Sequence, residues 1–147
     1  MTTNGSAQQL VVIGVDGSAE SVAALEWAAG YARGCGAKLR AILAWHYPAA
    51  AGVAPVGKAP KEISDEVRTT MAEALDKSIA AGAPGLDIEQ KIGYGHPSQV
   101  LVDASQNADL LVVGSRGRGA FTGMLVGSVS LYCVTHARCP VVVVRTH

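Results

Sequence analysis

The sequence lacks an excess of charge of either sign, since its 147 residues carry 12 Lys and Arg against 12 Asp and Glu. A chain without net charge has no general positive field to hold a nucleic-acid backbone or an anionic membrane. Long apolar runs are also missing, because stretches such as residues 41–45 and 141–144 fall far short of the roughly 18 to 20 residues of a membrane helix. The sequence therefore predicts a protein without nucleic-acid or membrane partners.

Cysteine is scarce and irregularly spaced, with only Cys35, Cys133 and Cys139. An odd number at such spacing does not suggest a disulfide framework and agrees with a reducing compartment. Residues 1–9 are small and polar, without the basic start and apolar stretch of a secretory signal. We therefore expect a flexible N-terminus over residues 1–9, free thiols and a cytoplasmic location.

Composition and length both favour one folded unit. Hydrophobic residues make up 49% of the chain and charged residues 16%, which is too apolar for intrinsic disorder. At roughly 100 to 200 residues per domain, the length allows a single domain, which we place at residues 10–147.

Apolar segments and helical patterns alternate along this domain. The predicted strands are Leu10–Val15, Lys38–Trp45, 86–92, 110–113 and Val141–Val144. The predicted helices run from Ser18 to Gly34, from near Pro60 to Gly82, from Pro97 to Asp109 and from Ser128 to Ala137, while residues 48–60 are interpreted as a mobile or functional loop. Strands that alternate with helices form a parallel sheet wound by right-handed crossovers. We therefore expect a doubly wound α/β domain with helices on both faces, the first strand at its centre and the third at an edge.

Glycines and small polar residues follow two of the predicted strands. Those after the first strand are Asp16, Gly17 and Ser18, and those after the fourth are Gly114, Gly117, Gly127 and Ser128. Ligands of doubly wound sheets sit outside the carboxyl ends of the strands, where the winding reverses. Glycine lets a phosphate chain approach the backbone, and the N–H groups of a helix N-terminus favour negative charge. These residues predict a phosphate-binding crevice, although a lone pair of such glycines is more often a plain turn.

The complete spacing of the glycines is more specific than any pair of them. From Gly114 to Ser128 it reads G-x-x-G-(x9)-G-[ST], which resembles the nucleotide-binding motif of the universal stress protein family. The resemblance extends over nearly the whole chain through the segments VVIGVDGS, AILAWHYP, GYGHP, DLLVVGSRGRG, LVGSVS and CPVVVVR. It implies a single-domain protein with a five-stranded sheet of order 3-2-1-4-5, usually dimeric, of the branch that binds ATP.

The resemblance also implies a place for each matching residue. Asp16 would lie near the ribose and phosphates, the first two motif glycines against the phosphate chain, and Gly127 with Ser128 at the terminal phosphates. The backbone of Ala44 would contact adenine, with Trp45 as the alternative. Together with the neighbouring charges and the start of the last helix, the predicted site comprises Asp16, Ala44, Gly114, Arg116, Gly117, Arg118, Gly127, Ser128, Val129 and Ser130.

Asp16 has a specific chemical constraint beside a phosphate. An ionised carboxylate only accepts hydrogen bonds, so it would contact sugar hydroxyl or base amino groups, or hold a cation such as Mg²⁺ that bridges to phosphate. The alternative is that Asp16 only caps the following helix together with Ser18.

Arg116 and Arg118 place positive charge beside the glycines. Their guanidinium groups can fork onto phosphate oxygens, or they can be two solvated loop arginines. The sequence leaves both interpretations open.

Other residue patterns in the sequence give weaker indications of a metal site or a catalytic site. Cys133, His136 and Cys139 follow Cys-x2-His-x2-Cys, but a tetrahedral metal site needs a fourth ligand and no second cluster exists, so we expect Cys133 to pack as a small apolar residue. The chain also lacks G-x-x-x-x-G-K-[ST] and G-x-S-x-G, and no activated nucleophile stands out. Binding is therefore better supported than turnover.

The last strand predicts a partner surface. In the implied order it is an edge, and four consecutive valines (Val141, Val142, Val143 and Val144) on an uncovered edge invite pairing with a second chain. The sequence thus favours an ATP-binding homodimer that acts as a regulatory or stress-response sensor. The alternatives are a small ATP-hydrolysing or nucleotidyl-transferring enzyme, and a dimeric scaffold that needs no nucleotide.

Overall fold

Five strands and four helices alternate along the residues that the computed structural model describes, which are 8–45, 65–117 and 126–146. The strands are β1 (Leu10–Val15), β2 (Lys38–Trp45), β3 (Ile88–Tyr94), β4 (Leu110–Gly114) and β5 (Val141–Val144). The helices are α1 (Ala19–Cys35), α2 (Asp65–Gly82), α3 (Pro97–Ser105) and α4 (Ser128–His136). The alternation confirms the predicted α/β class.

The strands form one parallel sheet of order β3-β2-β1-β4-β5, which confirms the order implied by the resemblance. β1 is central, and its Val11 is paired with Leu39 of β2 on one side and with Leu110 of β4 on the other. The chain therefore winds outward in one direction through β2 and β3, and then returns to the other side of β1. This reversal separates the connections that leave the carboxyl ends of β1 and β4, and it opens a crevice there.

Alternate residues of β1 are buried against opposite layers of helices. Val11 and Ile13 belong to the core under α1 and α2, whereas Val12 belongs to the core under α3 and α4. All three are fully buried. Each buried aliphatic side chain of this kind contributes roughly 1.5 to 3 kcal/mol relative to exposure, which fits the apolar character of β1, interrupted only by Gly14.

Local capping sets the bounds of α1. The Ser18 hydroxyl accepts a hydrogen bond from the Ser21 N–H at 3.1 Å, and Gly36 ends the helix in the left-handed region with φ of 75°. The Gly36 N–H donates to the Ala32 carbonyl at 2.7 Å. The predicted first helix is confirmed, and it continues one residue beyond the predicted end at Gly34, to Cys35.

Several predicted bounds differ from the structure by a few residues. The third strand, predicted over 86–92, begins at Ile88 because the Leu86 N–H still belongs to a turn with the Ala83 carbonyl, and it continues to Tyr94 in register with Trp45. The third helix, predicted to reach Asp109, ends at Ser105, and the fourth ends at His136 rather than Ala137. The fourth strand extends to Gly114, which pairs with Val144.

Some predictions fall outside the described residues. These are the flexible segment before Gln8, the loop of residues 48–60, the start of the second helix near Pro60, and Arg118.

Candidate functional site

A cleft of about 940 Å³ lies at the carboxyl ends of β1, β2 and β4, where the winding reverses. Its walls are the first turn of α1, one side of α2, the start of α3 and the first turn of α4. A concave site of this size can hold a ligand as large as a cofactor. The fold thus creates the crevice at the place that the sequence predicted.

Nine of the ten predicted site residues line this cleft, namely Asp16, Ala44, Gly114, Arg116, Gly117, Gly127, Ser128, Val129 and Ser130. They come from four separate segments of the chain, and only the reversal of the sheet brings them together. Arg118 is the tenth and lies outside the described residues.

Asp16 closes a turn and faces the cleft at the same time. Its Oδ1 accepts a hydrogen bond from the Ser18 N–H at 2.9 Å, which fits the capping interpretation. Its other oxygen, Oδ2, lies so close to Gly117 that a Cβ at that position would be only 2.6 Å away. A side chain at position 117 would therefore require the Asp16 carboxylate to move away from the backbone that follows β4. The hydrogen bond to Ser18 thus involves Oδ1, whereas Oδ2 lies beside Gly117.

Gly114 has a packing role that no ligand is needed to explain. A Cβ at this position would lie 2.6 Å from Cβ and 2.8 Å from the carbonyl carbon of Glu20. The first turn of α1 thus packs directly on the backbone at the end of β4. This contact fixes the spacing between α1 and the segment of residues 114–117, which we call the glycine loop.

The first turn of α4 directs backbone donors at the cleft. Its N-cap residue, Gly127, provides no side-chain cap, and the first N–H groups of a helix have no partner within the helix. The Ser130 hydroxyl donates to the Gly114 carbonyl, and the Gly127 N–H donates to the Ser115 carbonyl, so the helix start is held against the glycine loop. Free N–H groups and the helix dipole together favour an anion at this end of the cleft.

Arg116 is partly exposed and is held by an ion pair with a neighbouring side chain. Its Nη2 donates to Oε2 of Glu20 at 2.9 Å, and the Thr146 hydroxyl donates to the same oxygen, also at 2.9 Å. The Arg116 and Glu20 side chains are 31% and 14% exposed. Hydrogen bonds from Thr146, from the Glu20 backbone and from Arg116 lower the pKa of the Glu20 carboxyl below its usual range. We call these three residues the Arg116 cluster.

The sequence did not single out one wall of the cleft. The residues that α2 contributes are Thr70, Met71, Ala74, Lys77, Ser78 and Ala81. They recur at helical spacing on one side of α2, a periodicity that could have identified them as a group. Lys77 is exposed in the cleft, whereas Ser78 is buried.

The cysteines behave as thiols. All three are free, and Cys133 is fully buried in the core under α3 and α4, as predicted. Burial raises the pKa of the Cys133 thiol to about 11. Nδ1 of His136 lies 3.1 Å from the Tyr132 carbonyl, and within the described residues no group of three or more His, Cys, Asp or Glu side chains is placed to hold a metal ion.

None of the helices in the described part of the chain combines the length and the apolar character that crossing a membrane requires.

The geometry defines a class of protein: a doubly wound α/β domain with a small-molecule cleft at its switch point, bordered by a glycine loop and a helix N-terminus. Comparison with known proteins agrees with this class. The sequence model of the universal stress protein family matches residues 9–145. The chain therefore belongs to the universal stress protein family.

Individual relatives support the assignment. A universal stress protein of Mycolicibacterium smegmatis is 35% identical over 135 residues, which make up 92% of this chain and 45% of that protein. A universal stress protein of Mycobacterium tuberculosis is 37% identical over 142 residues, or 94% of this chain and 46% of that protein. The chain thus spans about half the length of these curated relatives.

A solved structure carries a ligand. A crystal structure of a universal stress protein in complex with cAMP is 34% identical to this chain and has a TM-score of 0.65. The match covers 97% of this chain and 100% of the chain in that structure. Universal stress protein UspA from Lactobacillus plantarum is 26% identical with a TM-score of 0.67, covering 95% and 100% of the two chains.

Proposed function

We propose that this protein binds ATP in the cleft between the carboxyl ends of β1 and β4, and that it acts as a regulatory or stress-response sensor rather than a fast enzyme. The observation that carries the proposal is the convergence of the glycine loop, the α4 N-terminus and Arg116 on one cleft. The solved relative in complex with cAMP supports an adenine nucleotide as the ligand class.

The phosphates would bind at the junction of the glycine loop and α4. Backbone N–H groups of the first α4 turn and the Ser128 hydroxyl supply donors, and Arg116 supplies positive charge. Gly127 keeps this junction narrow, since a Cβ there would lie 3.3 Å from Cα of Arg116 and 3.4 Å from the Ser115 carbonyl oxygen. A branched side chain at position 127 would therefore obstruct the phosphate end of the cleft.

The adenine would lie at the end of β2. The β1–β2 pairing stops at Val15 and Leu43, whereas β2 stays paired with β3 as far as Trp45. β2 therefore extends past β1, and Ala44 at this extension lines the cleft. We favour Ala44 over Trp45 for the backbone contact to adenine, since Ala44 lines the cleft and the Trp45 carbonyl already accepts a hydrogen bond from the Gly95 N–H at 2.7 Å.

A divalent cation would accompany the triphosphate. The charged residues among the described cleft lining are Asp16, Lys77 and Arg116, and the charge of Arg116 is already shared with Glu20. This set offers little net positive charge for a triphosphate. Mg²⁺ prefers carboxylate and phosphate oxygens and keeps several waters. Asp16 Oδ2, which lies beside Gly117, would therefore suffice as the one protein ligand of the ion. The ion would neutralise phosphate charge that the side chains leave unbalanced.

We also propose that two copies associate through β5. This strand is an edge of the sheet, and its four valines are only half-buried. The neighbouring α4 leaves Leu131 and Val134 exposed at 59% and 54%. An open strand edge beside exposed aliphatic side chains fits an isologous interface with a second copy. Light scattering at micromolar concentration that finds only the 15.1 kDa monomer would contradict this proposal.

Binding can be tested by identifying the nucleotide that co-purifies with the protein and by calorimetry with ATP and Mg²⁺. We expect Gly127→Val to abolish heat of binding, whereas Gly30→Val on α1, where a Cβ meets no atom within 4 Å, leaves it unchanged. In the wild type, a ligand at about 100 times its Kd should add about 2.7 kcal/mol of stability. Unchanged thermal melting of the wild type at millimolar ATP and Mg²⁺ would instead favour a scaffold that needs no nucleotide.

A further inference from the structure

We propose that Glu20 and Thr146 are positioning residues of the nucleotide site, which hold the Arg116 guanidinium at the phosphate end of the cleft. The proposal rests on the proposed nucleotide binding and adds to it two residues outside the glycine motif. One belongs to the first turn of α1 and the other to the segment that follows β5.

The hydrogen bonds of the Arg116 cluster meet at a single atom. Nη2 of Arg116 and the Thr146 hydroxyl both donate to Oε2 of Glu20, each at 2.9 Å. A guanidinium has five N–H donors in a rigid planar fork, and this contact with Glu20 engages one nitrogen. The fork is therefore oriented while most of its donors are left for another acceptor. Arg116 is among the residues that line the cleft, although Glu20 and Thr146 are not, and we take its remaining donors as those that would meet a phosphate bound there.

Backbone contacts anchor the segments that carry Glu20 and Thr146. The backbone of Glu20 packs against Gly114, where a Cβ would come within 2.8 Å of the Glu20 carbonyl carbon. Gly114 is paired with Val144 in β5, and the Ser115 N–H donates to the Val144 carbonyl at 2.7 Å. Thr146 thus leaves a strand whose register with the glycine loop is fixed. The carboxylate that orients Arg116 is built into the fold and does not depend on a mobile side chain alone.

Orientation before binding has a thermodynamic consequence. A flexible arginine loses rotamer freedom when it binds a phosphate, and a side chain that is already held loses less. Glu20 should therefore strengthen binding of phosphate-bearing ligands although its own charge is negative, because that charge is neutralised by Arg116. The Thr146 hydroxyl stabilises the carboxylate in this position. An adenine nucleoside without phosphate gains nothing from the arrangement.

Calorimetry with ATP, AMP and adenosine tests the proposal. We expect Glu20→Ala to weaken ATP and AMP about tenfold, the size of one hydrogen bond to a charged group, while the adenosine affinity stays unchanged. Glu20→Gln keeps an acceptor oxygen and should recover most of the loss. Thr146→Val should weaken ATP about threefold and Thr146→Ser should restore it. Glu26→Ala, on the same helix but outside the cleft lining, serves as the matched control.

The outcomes separate the alternatives. Tighter ATP binding by Glu20→Ala would overturn the proposal, because Glu20 would then be an anion that competes with phosphate for Arg116. Equal losses for ATP and adenosine would also overturn it, since they indicate a general structural role. If Glu20→Ala does not fold, the comparison of Thr146→Val with Thr146→Ser decides the question. A wild type that binds none of the three ligands refutes the proposed function itself, whereas ATP binding that is insensitive to all four variants refutes only the positioning roles.

Discussion

Arg116 and Glu20 are joined by a 2.9 Å contact between Nη2 and Oε2, although 96 positions separate them in the sequence. The contact ties the glycine loop to the first turn of α1, so the two sides of the cleft are connected through a partly buried ion pair. Loss of this pair should therefore be visible both in the stability of the fold and in binding at the cleft.

The contribution of Glu20 to the free energy of unfolding should decrease as the pH becomes acidic. Hydrogen bonds from Thr146, from its own backbone N–H and from Arg116 lower the pKa of Glu20 in the folded state below the ordinary value of 4.5. A carboxyl with a depressed folded pKa adds stability above its unfolded pKa and loses it as the pH falls through the folded pKa. We expect urea unfolding to show wild type more stable than Glu20→Gln at pH 7, with the difference vanishing below the folded pKa. A difference that grows on acidification would contradict the assignment.

Gly114→Ala should destabilise the protein without any ligand. The added Cβ would lie 2.6 to 2.9 Å from atoms of Glu20, two of them backbone, so α1 or β4 must shift. Overpacking of this kind costs about 1 to 3 kcal/mol, measurable by urea unfolding. Gly34→Ala, in α1 with no atom near its Cβ, is the matched control and should be neutral or stabilising by up to about 1 kcal/mol. Equal stability of the two variants would show that the Glu20–Gly114 packing is relaxed in solution.

Asp16→Asn should separate metal-dependent from metal-independent binding. The substitution keeps a side-chain oxygen for the Ser18 N–H but removes the charge beside Gly117. We expect the affinity for ATP with Mg²⁺ to fall about tenfold while the affinity for AMP in a chelator stays nearly unchanged. Titration calorimetry with and without Mg²⁺ measures both. Equal losses under the two conditions would favour direct contact of Asp16 with the sugar or base.

Leu131→Arg should shift the protein toward the monomer. Leu131 is 59% exposed on α4 beside β5, so a charge there costs little in an isolated chain and much in an apolar interface. Trp27→Arg on α1 is the matched control, because Trp27 is also exposed, at 38%, but on another helix. Sedimentation velocity should show the monomer fraction rise only for Leu131→Arg. Identical profiles for the two variants would remove α4 from the interface.

The cysteines should differ sharply in reactivity toward a thiol reagent. Burial raises the pKa of Cys133 to about 11, so at pH 8 roughly one molecule in a thousand carries the thiolate even before access is considered. Cys35 is exposed and should react within minutes, while Cys133 should react only after addition of denaturant. Mass spectrometry of the labelled peptides gives both rates. Rapid labelling of Cys133 in the native protein would indicate local opening of α4.

Local patterns in the sequence predicted most of the architecture. An apolar run such as Leu10–Val15, interrupted only by Gly14, is buried on both faces only at the centre of a covered sheet. Ser18 marks the start of α1 by its side-chain hydrogen bond, and Gly36 marks its end by its backbone conformation. The edge strand β3 was less well placed. Its half-exposed residues give no buried run to fix where pairing begins, so the predicted start at Leu86 was two residues early.

The sequence predicted those site residues that belong to recognisable motifs. The glycine spacing led to Gly114, Gly117 and Gly127, which meet in the cleft. Thr146 could not be identified in this way, because its contact with Glu20 joins residues 126 positions apart and no periodicity encodes it. Lys77 lies on a helix whose amphipathic pattern shows which side is buried, but not that the neighbouring side borders a cleft.

The reversal of winding beside β1 has a wider consequence for how such a domain can diversify. The recess exists because of the route that the main chain takes from strand to strand. Part of its lining, such as Gly114 and Leu101, also packs the scaffold, whereas Ala74 and Lys77 of α2 are exposed. Changes of ligand preference should therefore be attainable with least effect on folding at exposed positions of this kind.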